Sequence, residues 1–325
     1  MRFLLRRLAF YLVTLWIAVT LNFAIPRLLP GNPIDIILGK MRGDVSPGTY
    51  TALKDALGFT DQDIVGQYFT YLWNVAHLNF GLSYSYFPEP VSTVVAQDLP
   101  WTLLLFGLST IIAFTLGTTL GIICAWRRGS FLDGTLPPLL LFLSSFPYFW
   151  VALLLLYVFS VTLGWLPNAH AYDGAEIHLT WGFIGNVIYH STLPAITIVI
   201  SSMGGWLLQM RNVMVSTLAE DYIVMAQAKG LTDKRVMLMY AARNAILPSI
   251  TGFAMSLGFV VGGQVLVEQV FSYPGVGLAL VNAAGNEDFP LLQALLLFIV
   301  LAVLIANFIA DIAYVRLDPR VRAER

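Results

Sequence analysis

The sequence predicts an all-α integral membrane protein with six transmembrane helices. Three observations carry that expectation. The 325 residues are 58% hydrophobic and only 11% charged, where soluble domains run about 45–50% apolar and about 25% charged. The apolar residues gather into runs of about 20 or more, enough to cross a ~30 Å hydrocarbon core. Those runs lack the period-2 alternation of a membrane β-barrel. Inside lipid every backbone amide and carbonyl must bond within its own segment, so such runs form helices.

The candidate spans are residues 8–28, 100–126, 136–163, 191–212, 246–269 and 290–315. Arg2, Arg6 and Arg7 precede the first. Ile25-Pro26-Arg27 stands where a small-x-small cleavage site would be, so this run reads as an uncleaved anchor and not a signal peptide. Pro137, Pro138 and Pro147 interrupt the third span, Pro194, Gly204 and Gly205 the fourth, and Gly252, Gly258, Gly262 and Gly263 the fifth. Small residues let helices approach closely and proline permits a bend. Both static packing and a bundle that rearranges fit that pattern. Asp133, Glu268 and Asp311 all fall near span ends. An ion-coupled carrier usually needs ionisable groups near the bilayer centre, so this scarcity argues against one.

Lysine and arginine set the orientation. With the N-terminus inside, 14 of the 18 basic residues fall on cytoplasmic segments, and only Arg27, Lys40, Arg42 and Lys54 lie outside. Both termini and residues 219–248 then face the cytoplasm. Outside, residues 29–99 form a long loop expected to pack on the membrane domain. Its stretch "DIVGQYFTYLWNVAHL" places Ile64, Tyr68, Tyr71, Leu72, Val75 and Leu78 at the spacing of an amphipathic helix. Residues 164–190 are rich in aromatics, suited to interfacial anchoring or to substrate contact. Residues 270–289 form the third outer segment.

Several chemistries are excluded. The single cysteine, Cys124, rules out an internal disulfide framework. No C-x-x-C, H-E-x-x-H or phosphate-binding G-x-x-x-x-G-K-[ST] occurs, and Gly39-Lys40 is followed by Met41. His77, His170, His178 and His190 are scattered. No metal or cofactor is expected on this chain, and any ATP must be bound by another. A net charge of −1 points to no nucleic-acid partner.

Between two apolar runs lies "AEDYIVMAQAKGLTDKRVMLMYAARNAILP", residues 219–248. Its first part has acids at the start and Lys229 at the end, matching a helix dipole. Gly230 follows, where a helix C-cap commonly needs positive φ. Thr232 can cap a second helix that runs to Pro248, with Val236, Met239, Tyr240 and Ile246 on its apolar side. The block reads as a helix–Gly–helix hairpin whose first arm offers Met225, Ala226 and Ala228 to a groove in another protein.

This hairpin resembles the cytoplasmic "EAA" loop of ABC importer membrane subunits, in the form found in the dipeptide/oligopeptide permease family. The matching residues are Asp221-Tyr222, Ala226-Gln227-Ala228-Lys229-Gly230-Leu231, Ala241-Ala242-Arg243-Asn244-Ala245 and Leu247-Pro248. The likeness covers most of the chain. "RRLAFYLVTLWIAVTLNFAIPRLLPGNP" resembles the family's anchor. Gly81, Ser83, Pro90, Val91, Leu99, Pro100 and Thr102 follow its "G-x-S", "P-V" and "L-P-x-T-L" passage. "EQVFSYPGVG", with Glu268, Phe271, Pro274, Gly275 and Gly277, is similar to its "E-x-x-F-x-x-P-G-x-G". "RLDPRVR" matches its tail. The long first outer loop and the "LDPR" ending resemble the B-type subunit. Three positions depart: Gln227 where the family often has Arg, Tyr240 where it often has His, and Val224 where the founding Glu of the broader motif stands.

The resemblance implies a type I importer permease fold in a bacterial or archaeal plasma (inner) membrane, and a chain that is not itself an enzyme. A single permease domain, 1–325, would comprise an anchor (8–28), an outer loop (29–99), a five-helix core (100–315) with the hairpin at 219–248, and a cytoplasmic tail (316–325). The implied partners are a second related permease, two cytoplasmic ATPase subunits that carry the ATP and Mg, and an extracytoplasmic substrate-binding protein. The implied cargo is a di- or oligopeptide, with oligosaccharide and nickel also within the family's range. ATPase coupling would fall to Asp221, Tyr222, Met225, Ala226, Ala228, Lys229, Gly230, Leu231, Arg243, Asn244 and Pro248. Glu268, Phe271, Pro274, Gly275 and Gly277 would shape the outer mouth. The alternative is an ion-gradient-driven secondary transporter, which would need no ATPase.

Overall fold

The computed structural model describes residues 2–28, 63–174, 180–262 and 265–317. Residues 29–62 of the expected first outer loop and 318–325 of the expected tail lie outside the described residues. The elements are helical: α1 (Arg2–Leu28), α2 (Ile64–Ala76), α3 (Val91–Trp126), α4 (Phe131–Ser144), α5 (Tyr148–Leu155), α6 (Trp181–Leu218), α7 (Asp221–Ala228), α8 (Leu247–Phe259), α9 (Val265–Val270), α10 (Val276–Gly285) and α11 (Phe289–Leu317). Among the described residues there is no β-strand, only one isolated bridge between Leu82 and Pro90.

Four of these helices are long and apolar enough to cross a membrane: Arg6–Ala24 within α1, α3, α6, and Phe289–Ile309 within α11. Phe131–Ser144 and Tyr148–Thr162 would make a fifth as one span bent by 95°. Among the described residues four helices, or five with the bent pair, pass as spans, so the expected count of six is not reached there. The run 246–269 is divided into α8, a 3-10 turn at Val260–Gly262, and α9. At 13 residues, α8 is only about 20 Å long, short of the ~30 Å core. Proline also acts unevenly. Pro100, Pro137, Pro138 and Pro194 sit inside continuous helices, and only Pro147, at the N-cap of α5, coincides with a break. There the Phe142 carbonyl accepts from both the Ser145 amide, at 3.2 Å, and the Ser145 hydroxyl, at 2.6 Å, which closes the helix end.

The centre of the bundle is the α3–α6 pair. A Cβ on Gly117 would lie 2.7 Å from the Met203 carbonyl oxygen, and one on Gly121 2.6 Å from that of Leu207. Both backbones approach as only glycine allows, the G-x-x-x-G mode of membrane helices. α4 packs on the same helix at Gly204, whose Cβ would meet Ser144 Oγ at 2.6 Å. The anchor α1 is tied to α11 by polar bonds, which hold well where water does not compete. Near one end Asn22 Nδ2 donates to the Gln293 carbonyl and Gln293 Nε2 to the Asn22 carbonyl, both at 2.7 Å. At the other end the Tyr11 hydroxyl donates to Asp311 Oδ2 at 2.6 Å, with Arg7 3.4 Å from the same oxygen. The remaining α1 surface, including Phe10, Val13 and Ile17, is exposed apolar side chain.

Candidate functional site

The hairpin sits where α3 and α6 end beside Arg127 and Arg128, the basic end of the bundle. α7 closes in a Schellman cap. The Gly230 amide donates to the Gln227 carbonyl at 2.9 Å, and the Leu231 amide to the Ala226 carbonyl at 3.4 Å. Gly230 has φ +73, the left-handed conformation the sequence anticipates at this position. The second arm follows as Asp233–Arg235, a π-helical turn Val236–Ala242 and Arg243–Ala245. Thr232 holds the N-cap position, but its side chain makes no capping bond. The arm does not stop at Pro248; Pro248 occupies the first turn of α8, where its missing N–H costs nothing.

One face of the hairpin is a core and the other is free. Ile223 and Ala226 of α7 are buried with Val236, Ala241, Ala242 and Ala245 of the second arm, against Met210 and Met214 of α6 and Ala125 of α3. Asn244 Nδ2 donates to the Tyr222 hydroxyl at 3.1 Å and to the Tyr240 carbonyl at 3.0 Å, pinning the two arms together. Tyr222, Met225 and Lys229, at i, i+3 and i+7, share an exposed face, with Met225 60% exposed. Asp221, Ala228, Gly230, Arg243, Asn244 and Pro248 are exposed as well.

Two sequence expectations are corrected by the structure, at Ala226 and Met239. Ala226 lies beneath the free face and not on it, so it cannot reach a groove in another protein. Leu231 is half-buried under the hairpin. Met239 is exposed, because the π-helical turn inserts a residue and rotates the second arm away from a simple 3.6 period. At the hairpin's foot an open groove of about 400 Å³ is lined by Ile123, Trp126 and Arg127 of α3's end and by Lys234 and Met237.

A part-buried ion pair braces the same end. Arg211 of α6 donates Nε to Asp133 Oδ1 at 2.5 Å and a terminal nitrogen to Oδ2 at 2.9 Å, a bidentate fork. Asp133 also accepts from the Gly129 amide at 3.0 Å. α4 and α6 are thereby locked beside the hairpin.

The opposite end holds the second predicted group. Glu268, Phe271, Gly275 and Gly277 are buried and Pro274 half-buried, so the loop is a packed knot. Glu268 Oε1 accepts from Thr102 Oγ1 at 2.8 Å, and Oε2 from the Leu278 amide at 2.9 Å. Thr102 Oγ1 in turn accepts from the Val276 amide at 2.8 Å. The carboxylate thus meets the first-turn amides of α10, where the helix dipole favours negative charge. A Cβ on Gly275 would lie 2.5 Å from both Glu268 Oε1 and Thr102 Oγ1, and one on Gly277 2.8 Å from Oε2. The glycines of "P-G-x-G" exist to seat this carboxylate. A similar knot stands nearby: Asp288 is buried and accepts from Ser83 Oγ at 2.5 Å, the Ser85 amide at 2.9 Å and the Leu291 amide at 3.2 Å.

Several residues escaped sequence reasoning. Gly117-x-x-x-Gly121 carried a readable signal in its spacing. Tyr273, fully buried with its hydroxyl 3.1 Å from Ser191 Oγ, and Asp288 carried none, because their partners lie far away in the chain. Asp173 is another. Its Oδ2 accepts from Asn186 Nδ2 at 3.1 Å and lies 3.2 Å from His190 Nε2, while His190 Nδ1 is 3.0 Å from the Ala169 carbonyl. The Asn186 amide, and after it the His190 ring, hold the Asp173 carboxyl below the ordinary carboxylate range. Among the described residues no three His, Cys, Asp or Glu side chains gather as metal ligands.

The family model described as "Binding-protein-dependent transport system inner membrane component" matches residues 117–323, a stretch that takes in both the hairpin and the Glu268 knot. A putative peptide permease protein of Brucella suis biovar 1 is 37% identical over 322 residues, covering 99% of each chain. The di/tripeptide transport system permease protein DppB of Pseudomonas aeruginosa is 34% identical over 337 residues, again covering 99% of each. The oligopeptide transport system permease protein AppB of Bacillus subtilis is 35% identical over 301 residues, 93% of each chain.

Proposed function

Because the chain belongs to the family of binding-protein-dependent transport system inner membrane components, we propose that it forms half of the translocation path of an ATP-driven importer of di- or oligopeptides. A second, related permease supplies the other half. Two ATPase subunits dock beneath, and an extracytoplasmic binding protein delivers the peptide. In this reading the basic end of the bundle is cytoplasmic and the Glu268 knot lies at the outer side. Peptide is favoured as cargo because the relatives above are named for peptide transport.

The observation that carries the reading is the two-sided build of the hairpin. Its inner side shares one core with the ends of α3 and α6, and its outer side offers Tyr222, Met225, Ala228 and Lys229 to another protein. A body seated on such a face can move α3 and α6 only if the hairpin is stiff. The Schellman cap and the Asn244–Tyr222 bond supply that stiffness. ATP-driven closure of the ATPase pair would push the hairpin, and the Asp133–Arg211 fork would carry the push to α4. The cycle turns because ATP binds one conformation of the complex better than the other.

Reconstitution tests this. Proteoliposomes holding both permeases and both ATPases, with peptide-loaded binding protein outside, should accumulate peptide only with ATP. This chain alone, under a proton or sodium gradient, should accumulate none. Gradient-driven uptake by the isolated chain would overturn the reading in favour of a secondary carrier.

A further inference from the structure

α2 has three distinct faces. At about 100° per residue, Tyr68, Tyr71 and Val75 fall on one. Val65, Phe69, Leu72, Trp73 and Ala76 fall on a second, and Gln67, Thr70 and Asn74 on a third. The three are roughly a third of a turn apart. The first face meets the anchor helix: Tyr68 and Thr20 hydroxyls are 2.7 Å apart, the Phe23 ring packs on Tyr68 and Tyr71 at 5.1 and 5.4 Å, and Asn22 Nδ2 donates to the Tyr71 hydroxyl at 3.3 Å. These contacts on α1 all fall between Thr20 and Phe23, a single turn. α2 therefore crosses α1 at one point and does not run along it. The second face is open, with Phe69 64% and Trp73 67% exposed.

We propose that α2 is an interfacial helix that sinks its Val65–Phe69–Trp73 face into the lipid leaflet at the end of the bundle opposite the charged hairpin. Three faces at thirds of a turn suit such a site: protein at the side, lipid below, water above. The depth agrees. The crossing lies at the last turn of the membrane-crossing stretch Arg6–Ala24, and the exposed apolar run of α1 reaches Leu21 in that same turn. The chemistry agrees too. Trp belongs at the headgroup–acyl boundary, and an apolar face of Trp, Phe and Leu with a polar one opposite is the signature of an in-plane helix. α2 carries no charged side chain, so apolar burial and not headgroup charge holds it there. The loop between α1 and α3 is thus fastened to the bilayer as well as to α1.

The proposal does not depend on what the complex transports. Spin labels test it on the assembled complex in nanodiscs of phosphatidylethanolamine and phosphatidylglycerol. Cys124 is buried, and the unsubstituted complex provides the blank. Labels go to Val65→Cys and Ala76→Cys on the apolar face, which leaves Phe69 and Trp73 in place, and to Thr70→Cys, the exposed residue of the polar face. Labels at 65 and 76 should collide with oxygen several times more than with a water-soluble nickel chelate, and the label at 70 the reverse. In an F69Q/W73Q complex, nickel access at position 65 should rise severalfold. Equal nickel access on both faces would put the helix in water and overturn the proposal. Shielding of 65 and 76 from both reagents would put protein on that face and overturn it as well.

Discussion

Gly230 shows how much one backbone position can carry. Its φ of +73 is required by the cap that ends α7, and a Cβ there would meet nothing within 4 Å. The penalty for a substitution is therefore purely conformational, about 1–2 kcal/mol for an L-residue held left-handed, and larger for a β-branched one. Gly230→Val should leave insertion and assembly intact while cutting ATP-coupled peptide uptake severalfold. A Gly230→Val complex with wild-type uptake and wild-type substrate-stimulated ATPase activity would remove the hairpin's cap from the mechanism. Gly275 makes the opposite case, in which space and not φ is limiting. Gly275→Ala must displace the Glu268 carboxylate or the Thr102 hydroxyl, leaving buried polar groups unpaired at about 1–3 kcal/mol. Its thermal unfolding midpoint should fall, whereas Gly285→Ala, with open space at its Cβ, should stay near wild type. Gly230 was legible because a helix ending in Lys followed by Gly is a local signal. The role of Gly275 was not, because its neighbour Thr102 is remote in sequence and no local pattern names it.

At the scale of elements, hydropathy marked the apolar runs, and the prolines and glycines within them marked where two could bend, but not how sharply. The residues 136–163 are apolar throughout, yet the chain turns by 95° before Pro147. The residues 246–269 are equally apolar, yet Gly262 would press Ile299 with any side chain, and the helix gives way to a 3-10 turn there. Composition measures transfer into lipid. It does not register where two half-helices pack better than one whole helix. The loop before α6 shows a further element-scale property, its response to pH. A carboxylate whose pKa falls on folding contributes stability above its unfolded value, about 3.9, and loses it as pH falls through the lower folded value. The contribution of the Asp173 carboxylate should therefore be lost only in acid below that unfolded value. Exposure of Asp173 to solvent keeps the effect small. Hydrogen exchange of residues 165–174, corrected for intrinsic rate, should show that acid step, and Asp173→Asn should abolish it. The same acid step in Asp173→Asn would mean that another carboxylate closes the loop.

For the whole molecule, the broken span raises a problem that the isolated chain cannot solve. Gly204 packs against Ser144, and it lies roughly 10 Å along α6 from Arg211 at 1.5 Å per residue. With Arg211 near the membrane boundary, the break at Ser145–Pro147 falls inside the hydrocarbon. Non-helical backbone at that depth is tolerated only where it is buried in protein or faces a water-filled cavity. Yet Ser145, Phe146 and Pro147 are exposed in this chain. A water-filled cavity over the break reconciles that exposure with its depth. Ser145→Cys in the assembled complex should then react with a membrane-impermeant thiol reagent. Cysteines at Leu141 and Leu154, exposed on the unbroken helices to either side, should not. Unreactive Ser145→Cys in a complex that still transports peptide, with and without ATP, would mean that protein seals the break, and the path would have to be sought along another face of the bundle.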